Sequence, residues 1–307
     1  MRIITDINDY IPVPCAATIG SFDGVHLGHR AMLDELRVRA AEKALPLMVV
    51  TFAHHPRLLF NAGGEPFLLS GNETRQELLA AAGVDILVML DFDASMASMS
   101  AGQFMQDILV ARLGVKLLAV GYDHHFGKPC KGEGLSNYIE YGNRSGVDVF
   151  GTSPFSIDGE MVSSSAVRRA LAAGDVVKAG TLLGYTYRVV GCVVHCAGIG
   201  RTIGFPTANL QPLDNMQMFP ANGVYEVAVT VGAIAYKGVM NVGVKPTVSN
   251  GNEPTAEVHI IGFSGDIYGT VICVEFLRYL RGERRFGNLD ELRQQITADV
   301  ERVKTGK

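Results

Sequence analysis

Short apolar runs and longer amphipathic stretches alternate along the first half of the chain. Cys15–Ile19, Leu47–Phe52, Ile86–Leu90, Leu117–Val120 and Val147–Phe150 are near-continuous apolar runs of strand length. Helical patterns lie between them. One opens at His29 and sets Met32, Leu33, Leu36 and Ala40 on one face. Glu73–Ala82 is a second, stopped by Gly83, and Ser100–Leu113 a third, N-capped by Ser100 and stopped by Gly114. Apolar strands separated by helices predict a parallel sheet covered on both faces.

Around Gly174–Gly184 the pattern changes. Strands then follow one another with glycine turns between them: Arg188–His195, Gly223–Val231, Ala233–Val242, Glu257–Phe263 and Thr270–Leu280. In Gly223–Val231 the side chains of Val227, Val229 and Val231 fall on one face and Glu226 and Thr230 on the other. This succession predicts a small closed antiparallel β-barrel. A last helix follows, with Asn288 as cap and Glu291 as its partner. It aligns Leu289, Leu292, Ile296, Val300 and Val303 to lie on the barrel. The fold class expected is α/β plus β, with domains at 1–180 and 184–307.

The stretch Gly20-Ser21-Phe22-Asp23-Gly24-Val25-His26-Leu27-Gly28-His29 joins a strand end to a helix start. Gly20, Gly24 and Gly28 let the backbone turn and approach a ligand. Orphan amides at the helix start form an anion site, and His26 and His29, three apart, point the same way. Two imidazoles beside a helix N-terminus suit a polyphosphate. Two other segments reach the same carboxyl edge of the sheet, Thr51–Pro56 and Gly121–Gly127. Further on, Ser163, Ser164 and Ser165 precede a helix over Ala166–Ala173 that carries Arg168 in its first turn. Arginine ordinarily avoids the positive end of a helix, so hydroxyls, amides and guanidinium together point to phosphate.

A second centre spans Gly198–Asn209, which lacks the Gly-Lys-Ser/Thr of a Walker P-loop. Its glycines make a flap with free amides, and Pro206 fixes the backbone ahead of Thr207. In an extended segment Thr207 and Asn209 project to one side as hard oxygen ligands, suited to Mg2+ held with ATP phosphates. Glu257, at the opening of an apolar strand, is a candidate general base.

Composition narrows the partners. The 307 residues are 48% hydrophobic, enough for sizeable cores, and a net charge of −4 without charge runs excludes a basic nucleic-acid face. The five cysteines are scattered, against a disulfide framework. Cys192, His195 and Cys196 lack two further ligands for zinc. With no signal-peptide pattern and no apolar run long enough to span a bilayer, a cytoplasmic protein is expected, monomeric or weakly homo-oligomeric.

The histidine stretch resembles the HxGH motif of the nucleotidyltransferase superfamily. GSFDGVHLGH, TFAHHP, GYDHHFG and VSSSAVR occur in order, followed by GRTIGFPTAN, GVYEV, NVGVKPT, EVHIIGF and the ending YLRGERRF. Over nearly its full length the chain thereby resembles the bacterial bifunctional riboflavin kinase/FAD synthetase family. The resemblance implies a Rossmann-like N-terminal domain that adenylylates FMN with ATP, releasing FAD and pyrophosphate. It implies a C-terminal barrel that phosphorylates riboflavin with Mg–ATP. Flavins are then substrates and products. By matching positions, His26 and His29 would hold ATP phosphates, assisted by Ser164, Ser165 and Arg168. Gly20, Phe22, Asp23, Gly24, Asp123 and Phe126 would line nucleotide and flavin. In the barrel, Gly198, Arg201, Thr207 and Asn209 would hold Mg–ATP, Glu257 would take the ribityl proton, and Arg281 and Phe286 would lie near the flavin. His125 and Cys196 depart from the family's arginine and glycine. A different nucleotidyltransferase fused to an accessory barrel, a kinase with a decayed first domain and a flavin carrier are the rival readings.

Overall fold

The computed structural model describes residues 1–306 apart from 61–64, 123–125, 129, 131, 196–199, 201–202 and 248–250, with backbone alone at 59–60, 245–247 and 251–254. The chain divides into two compact units, Met1–Gly64 with Asn72–Val162, and Glu65–Gly71 with Ser163–Lys307.

The first unit is built on six strands: β1 (Arg2–Ile4), β2 (Cys15–Ile19), β3 (Leu47–Phe52), β4 (Ile86–Leu90), β5 (Val115–Val120) and β6 (Asp148–Gly151). They stand in the order β1-β4-β3-β2-β5-β6, and every neighbouring pair is parallel. The chain steps outward from β2 through β3 to β4, then crosses back to place β5 on the other side of β2. The order reverses between β2 and β5, where a crevice opens beyond the carboxyl ends. Alternate residues of β2 face opposite layers. Cys15, Ala17 and Ile19 join a core with Met48, Phe104, Leu109 and Tyr138. Helix Leu27–Glu42 buries Met32, Leu33, Leu36 and Ala40, the face its spacing predicts, and Thr18 Oγ1 lies 3.5 Å from Met32 Sδ.

Departures from the expected elements have local causes. Ser100 does cap its helix, in a capping box with Gln103, but the α-helical part ends there. Phe104–Val110 is π-helical, and the wider turn lets Phe104, Met105, Ile108 and Leu109 all reach the core. A small hairpin of β7 (Ser156–Ile157) and β8 (Glu160–Met161) turns through Asp158 and Gly159, both at positive φ.

In the second unit, β9 (Arg188–Val194), β10 (Ala208–Pro212), β11 (Gly223–Val231), β12 (Ile234–Thr247), β13 (Gly251–Ile260) and β14 (Val271–Arg281) form the closed barrel. Its order is β10-β13-β12-β11-β14-β9, antiparallel throughout. β13 begins six residues before Glu257, which therefore lies late in the strand rather than at its opening. The leading residues Asn252, Glu253, Pro254 and Thr255 carry no apolar alternation, so the pattern there starts late. Helices Ser164–Ala172 and Val176–Leu183 also belong to this unit. The terminal helix Leu289–Thr305 is capped by Asn288, whose Oδ1 accepts from the Glu291 N–H at 2.9 Å. Val300 and Val303 pack against Val224, Val239 and Leu280, but Leu289 is 55% exposed because the helix has not yet reached the barrel there.

Burial pushes the Cys15 thiol up to about 12. It also raises the Tyr225 phenol, with Tyr279 adding to the shift. A group whose value rises on folding stabilises the fold fully below its unfolded value, about 8.5 for Cys and about 10 for Tyr. That stability is lost as pH climbs beyond it. Stability against denaturant should therefore fall above about pH 8.5 by about 1.4 kcal/mol per pH unit from Cys15. In Cys15→Ala the decline should begin only near pH ~10, where Tyr225 enters. Identical alkaline profiles for the two proteins would contradict this.

Candidate active sites

The histidine stretch leaves β2 at Ile19 and is bound to the next strand at once, the Gly20 N–H donating to Val50 O at 3.0 Å. The backbone then takes positive φ at Phe22 (49°), Gly24 (77°) and Val25 (37°). An aromatic and a β-branched residue there cost about 1–3 kcal/mol each, and the complete burial of both side chains holds them in place. Of the three expected turn glycines only Gly24 is left-handed. The other two are needed for space. A Cβ on Gly20 would meet the Phe22 ring at 3.3 Å, and one on Gly28 would meet Val162 O at 3.0 Å and His26 Nδ1 at 3.1 Å.

His26 is the N-cap of helix Leu27–Glu42, one residue before the helix proper. Its Nδ1 accepts from the His29 N–H at 3.3 Å, which leaves the ring proton of the neutral form on Nε2. The two imidazoles stack with centroids 3.7 Å apart at 15°. Spacing of three thus brings both rings to one side of the helix start, with the buried Asp23 in the same loop.

Beside this loop, at the carboxyl edge of the sheet, lies a cavity of about 270 Å³. Ile19, Ser21, Phe52, Phe92, Phe104 and Phe126 line it. Phe126 stacks on Tyr138 at 4.5 Å, and Phe52 meets Phe92 edge-on at 5.2 Å. Sequence reasoning placed the stretches holding Ser21, Phe52 and Phe126 at this edge but assigned a flavin contact to Phe126 alone. Phe92 was not singled out, although an aromatic at the end of β3 and another just past β4 were the available signal.

Asp123, Gly198 and Arg201 lie outside the described residues, as do His125 and Cys196. Ser164, Ser165 and Arg168 fall in the second unit. Ser163 is the cap, accepting from the Ala166 N–H at 3.2 Å, and leaves Ser164 and Ser165 in the first turn. Arg168 Nε donates to Phe67 O at 2.8 Å and its guanidinium lies 5.7 Å from the Phe67 ring. A carbonyl partner therefore accounts in part for a cation at that end of the helix.

In the barrel, register assembles the polar centre. Glu257 stands opposite Asn209 on β10 and opposite Asn241 on β12, so the three share one face. Thr207 Oγ1 donates to Glu257 Oε2 at 3.4 Å. His259, two residues along the same face, binds Pro206 O through Nδ1 at 2.9 Å. A cavity of about 320 Å³ is lined by Thr207, Asn241, Glu257, Arg281 and Phe286 from the barrel side and by Ile296 from the terminal helix. Arg281 is fixed there by Asp299, at 2.7 Å from Nη2 and 3.1 Å from Nε. A second cavity of about 320 Å³ is lined by Pro206, Ala208, Val258, Phe263 and Tyr268, and Thr207 lines both. Asn241, His259 and Asp299 were not singled out from the sequence. Asn241 was reachable through its motif, but Asp299 reads as one more charge on an amphipathic helix.

A histidine-bearing loop at the switch point of a parallel sheet, joined in one chain to a closed barrel with a carboxylate beside a cavity, suits a two-centre transferase. Comparison with known proteins is specific. The FAD synthetase family pattern matches residues 9–166 and the riboflavin kinase pattern matches residues 183–306. The bifunctional riboflavin kinase/FMN adenylyltransferase of Escherichia coli K12 is 41% identical over 97% of this chain and 96% of its own. That of Bacillus subtilis is 35% identical over 92% and 89%. A crystal structure described as a macrolide-efflux protein from Streptococcus pneumoniae superposes with a TM-score of 0.85 at 32% identity, covering 98% of both chains. The chain belongs to the bifunctional riboflavin kinase/FMN adenylyltransferase family. Among the described residues no helix is long and apolar enough to cross a membrane.

The contacts of Gly28 are a backbone carbonyl and the capping ring, and neither can yield without loss. Gly28→Ala should cost about 1–3 kcal/mol and displace the His26 ring. Unchanged imidazole resonances of His26 and His29 in the variant would contradict this packing.

Proposed function

We propose that the chain runs the two reactions of its family in two separate pockets. Family membership makes it a riboflavin kinase and an FMN adenylyltransferase, with flavins as substrates and products. The observation that carries the division of labour is that each family pattern falls on a stretch with its own pocket. We assign adenylylation to residues 1–180 and the kinase to 184–307. The two family patterns, over 9–166 and 183–306, support that assignment, while helices Ser164–Ala172 and Val176–Leu183 pack within the second unit.

In the first pocket the flavin ring lies in the aromatic slot, whose flat rings and apolar walls suit it. The phosphate of FMN points to the histidine loop and attacks the α-phosphate of ATP. His26 and His29 stabilise the negative charge that gathers on the departing pyrophosphate, with the helix-start amides beside them. Gly20, Phe22, Asp23 and Gly24 shape the nucleotide side, and Asp123 and Phe126 the flavin side. The family resemblance makes Ser164, Ser165 and Arg168, which belong to the second unit, further candidate phosphate donors.

In the barrel, Glu257 accepts the proton of the terminal ribityl hydroxyl as that oxygen attacks the γ-phosphate. The placement of Thr207 on both cavities supports ATP in one and riboflavin in the other. Thr207 and Asn209 offer hard oxygens beside Glu257, a pair that fits Mg2+ shared with phosphates. When bound, the ion supplies charge neutralisation at the transferring phosphoryl group. Gly198 and Arg201 belong to the ATP flap, and Arg281, held by Asp299, borders the flavin with Phe286. We read the protein as cytoplasmic and as a monomer or weak homo-oligomer without nucleic acid, a reading its scattered cysteines and net charge of −4 support.

His29→Ala should lower FAD formation by about 10²–10³ while FMN still accumulates from riboflavin. Chromatography of products made from riboflavin and Mg–ATP reads this directly, and equal loss of both products would argue against two sites. Glu257→Gln should cut riboflavin phosphorylation by about 10²–10⁴ and leave FAD synthesis from supplied FMN intact. A wild-type kinase rate in that variant removes the general base.

A further inference from the structure

Helix Asn72–Ala81 buries an arginine in its first turn. Arg75 is 5% exposed, and its fork reaches the ends of two neighbouring strands. Nη1 donates to Ser21 O at 2.9 Å, just past β2. Nη2 donates to Phe52 O at 2.7 Å, the last residue of β3, and to Asn72 Oδ1 at 2.6 Å. Two neighbours extend the arrangement: Thr51 Oγ1 donates to the same Ser21 carbonyl at 3.2 Å, and Asn72 Nδ2 donates to Ala53 O at 3.0 Å. Ser21 and Phe52 line the aromatic slot, whereas Arg75 does not.

We propose that Arg75 is a positioning residue for FAD formation, setting the separation of the carboxyl ends of β2 and β3 so that the His26–His29 pair stays aligned with the flavin slot. This rests on the reading of that loop as the adenylylation centre. Ser21 immediately precedes Phe22, where the positive-φ run begins. Strained backbone persists only where its surroundings over-determine it, and two donors on the Ser21 carbonyl do so at the hinge of the loop. A planar guanidinium spans two carbonyls at a fixed distance, a hold that a three-donor ammonium keeps in part and a side chain without donors loses. Removing it lets the loop relax relative to the slot, and catalysis is sensitive to displacements of this size.

The test uses the full chain with FMN and Mg–ATP, and in parallel riboflavin and Mg–ATP. Arg75→Met keeps the length of the side chain and removes its donors. It should lower kcat for FAD formation by about 10²-fold, with far smaller changes in the KM values, while riboflavin phosphorylation stays at the wild-type rate. Arg75→Lys, which still donates to strand-end carbonyls, should recover at least about tenfold of that loss. If the Met variant does not fold, Arg75→Gln replaces it with the same expectation. A folded Met or Gln variant at wild-type kcat overturns the proposal. So does a folded Lys variant as slow as Met or Gln, or a fall in FAD formation matched by an equal fall in phosphorylation. His29→Ala in the same assay separates the two failures: retained FAD formation there sinks the reading of the loop itself. Loss in His29→Ala without loss in Arg75→Met sinks only the role of Arg75.

Discussion

A parallel sheet satisfies its peptide groups by pairing strands side by side, and that pairing stops where the strands end. The amides and carbonyls just beyond must find other partners or pay the full cost of desolvation. In the first unit these ends converge where strand order reverses between β2 and β5. The chain answers with fixed donors. Thr51 and Arg75 meet Ser21 O, Arg75 also takes Phe52 O, and Asn72 takes Ala53 O. At the other end of the same loop His26 accepts the His29 amide. The loop between is thereby held in a conformation that a free peptide avoids. Its imidazoles are oriented before any ligand arrives, which is the condition for strong electrostatic stabilisation.

The barrel meets its constraint by a different route. A closed antiparallel sheet has no edges to satisfy, and its pairing is set by register. Shifting β13 by one residue would turn Glu257 away from Asn209 and Asn241 and bury a carboxylate among the apolar side chains of the other face. Close contact of backbones reinforces this. A Cβ on Gly191 would lie 2.4 Å from Gln211 O, so β9 and β10 approach where no side chain fits. The carboxylate thus sits on a rigid strand, and the loop that carries Thr207 is tied to it through His259 and Pro206 O.

What could be read in advance followed from short-range order. Ile86–Leu90 matches to the residue because a strand covered on both faces is apolar throughout, and the buried face of helix Leu27–Glu42 follows its spacing. β1, with three residues, and β10, with Asn209, Gln211 and Pro212, carry too little apolar signal to stand out. The π-helical turn over Phe104–Val110 differs from an α-helix by about one residue per turn, below what a burial pattern resolves. The same division holds at the sites. His26 and His29 are legible because covalent spacing brings them together. Arg75 with Ser21, Arg281 with Asp299, and Phe92 with Phe52 are joined by topology alone, and nothing local in the chain marks them.

The two pockets differ in the way that their proposed flavins differ. Riboflavin is uncharged, whereas FMN carries a phosphate of about −1.5 to −2 at neutral pH. Beside the barrel cavity stand the carboxylates of Glu257, Glu283 and Asp299 and the guanidinium groups of Arg284 and of Arg281, which pairs with Asp299. Such a mixed lining tolerates a ribityl hydroxyl and offers no net cationic seat for the phosphate once it is made. Among the described residues lining the aromatic slot of the first unit none is acidic, and the slot shares Ser21 with the loop that leads to a helix N-terminus. There the added phosphate would meet no carboxylate among those lining residues. Phosphorylation therefore changes which pocket suits the flavin. On the proposed assignment of the two pockets, the charge gained on phosphorylation favours travel from kinase to adenylyltransferase.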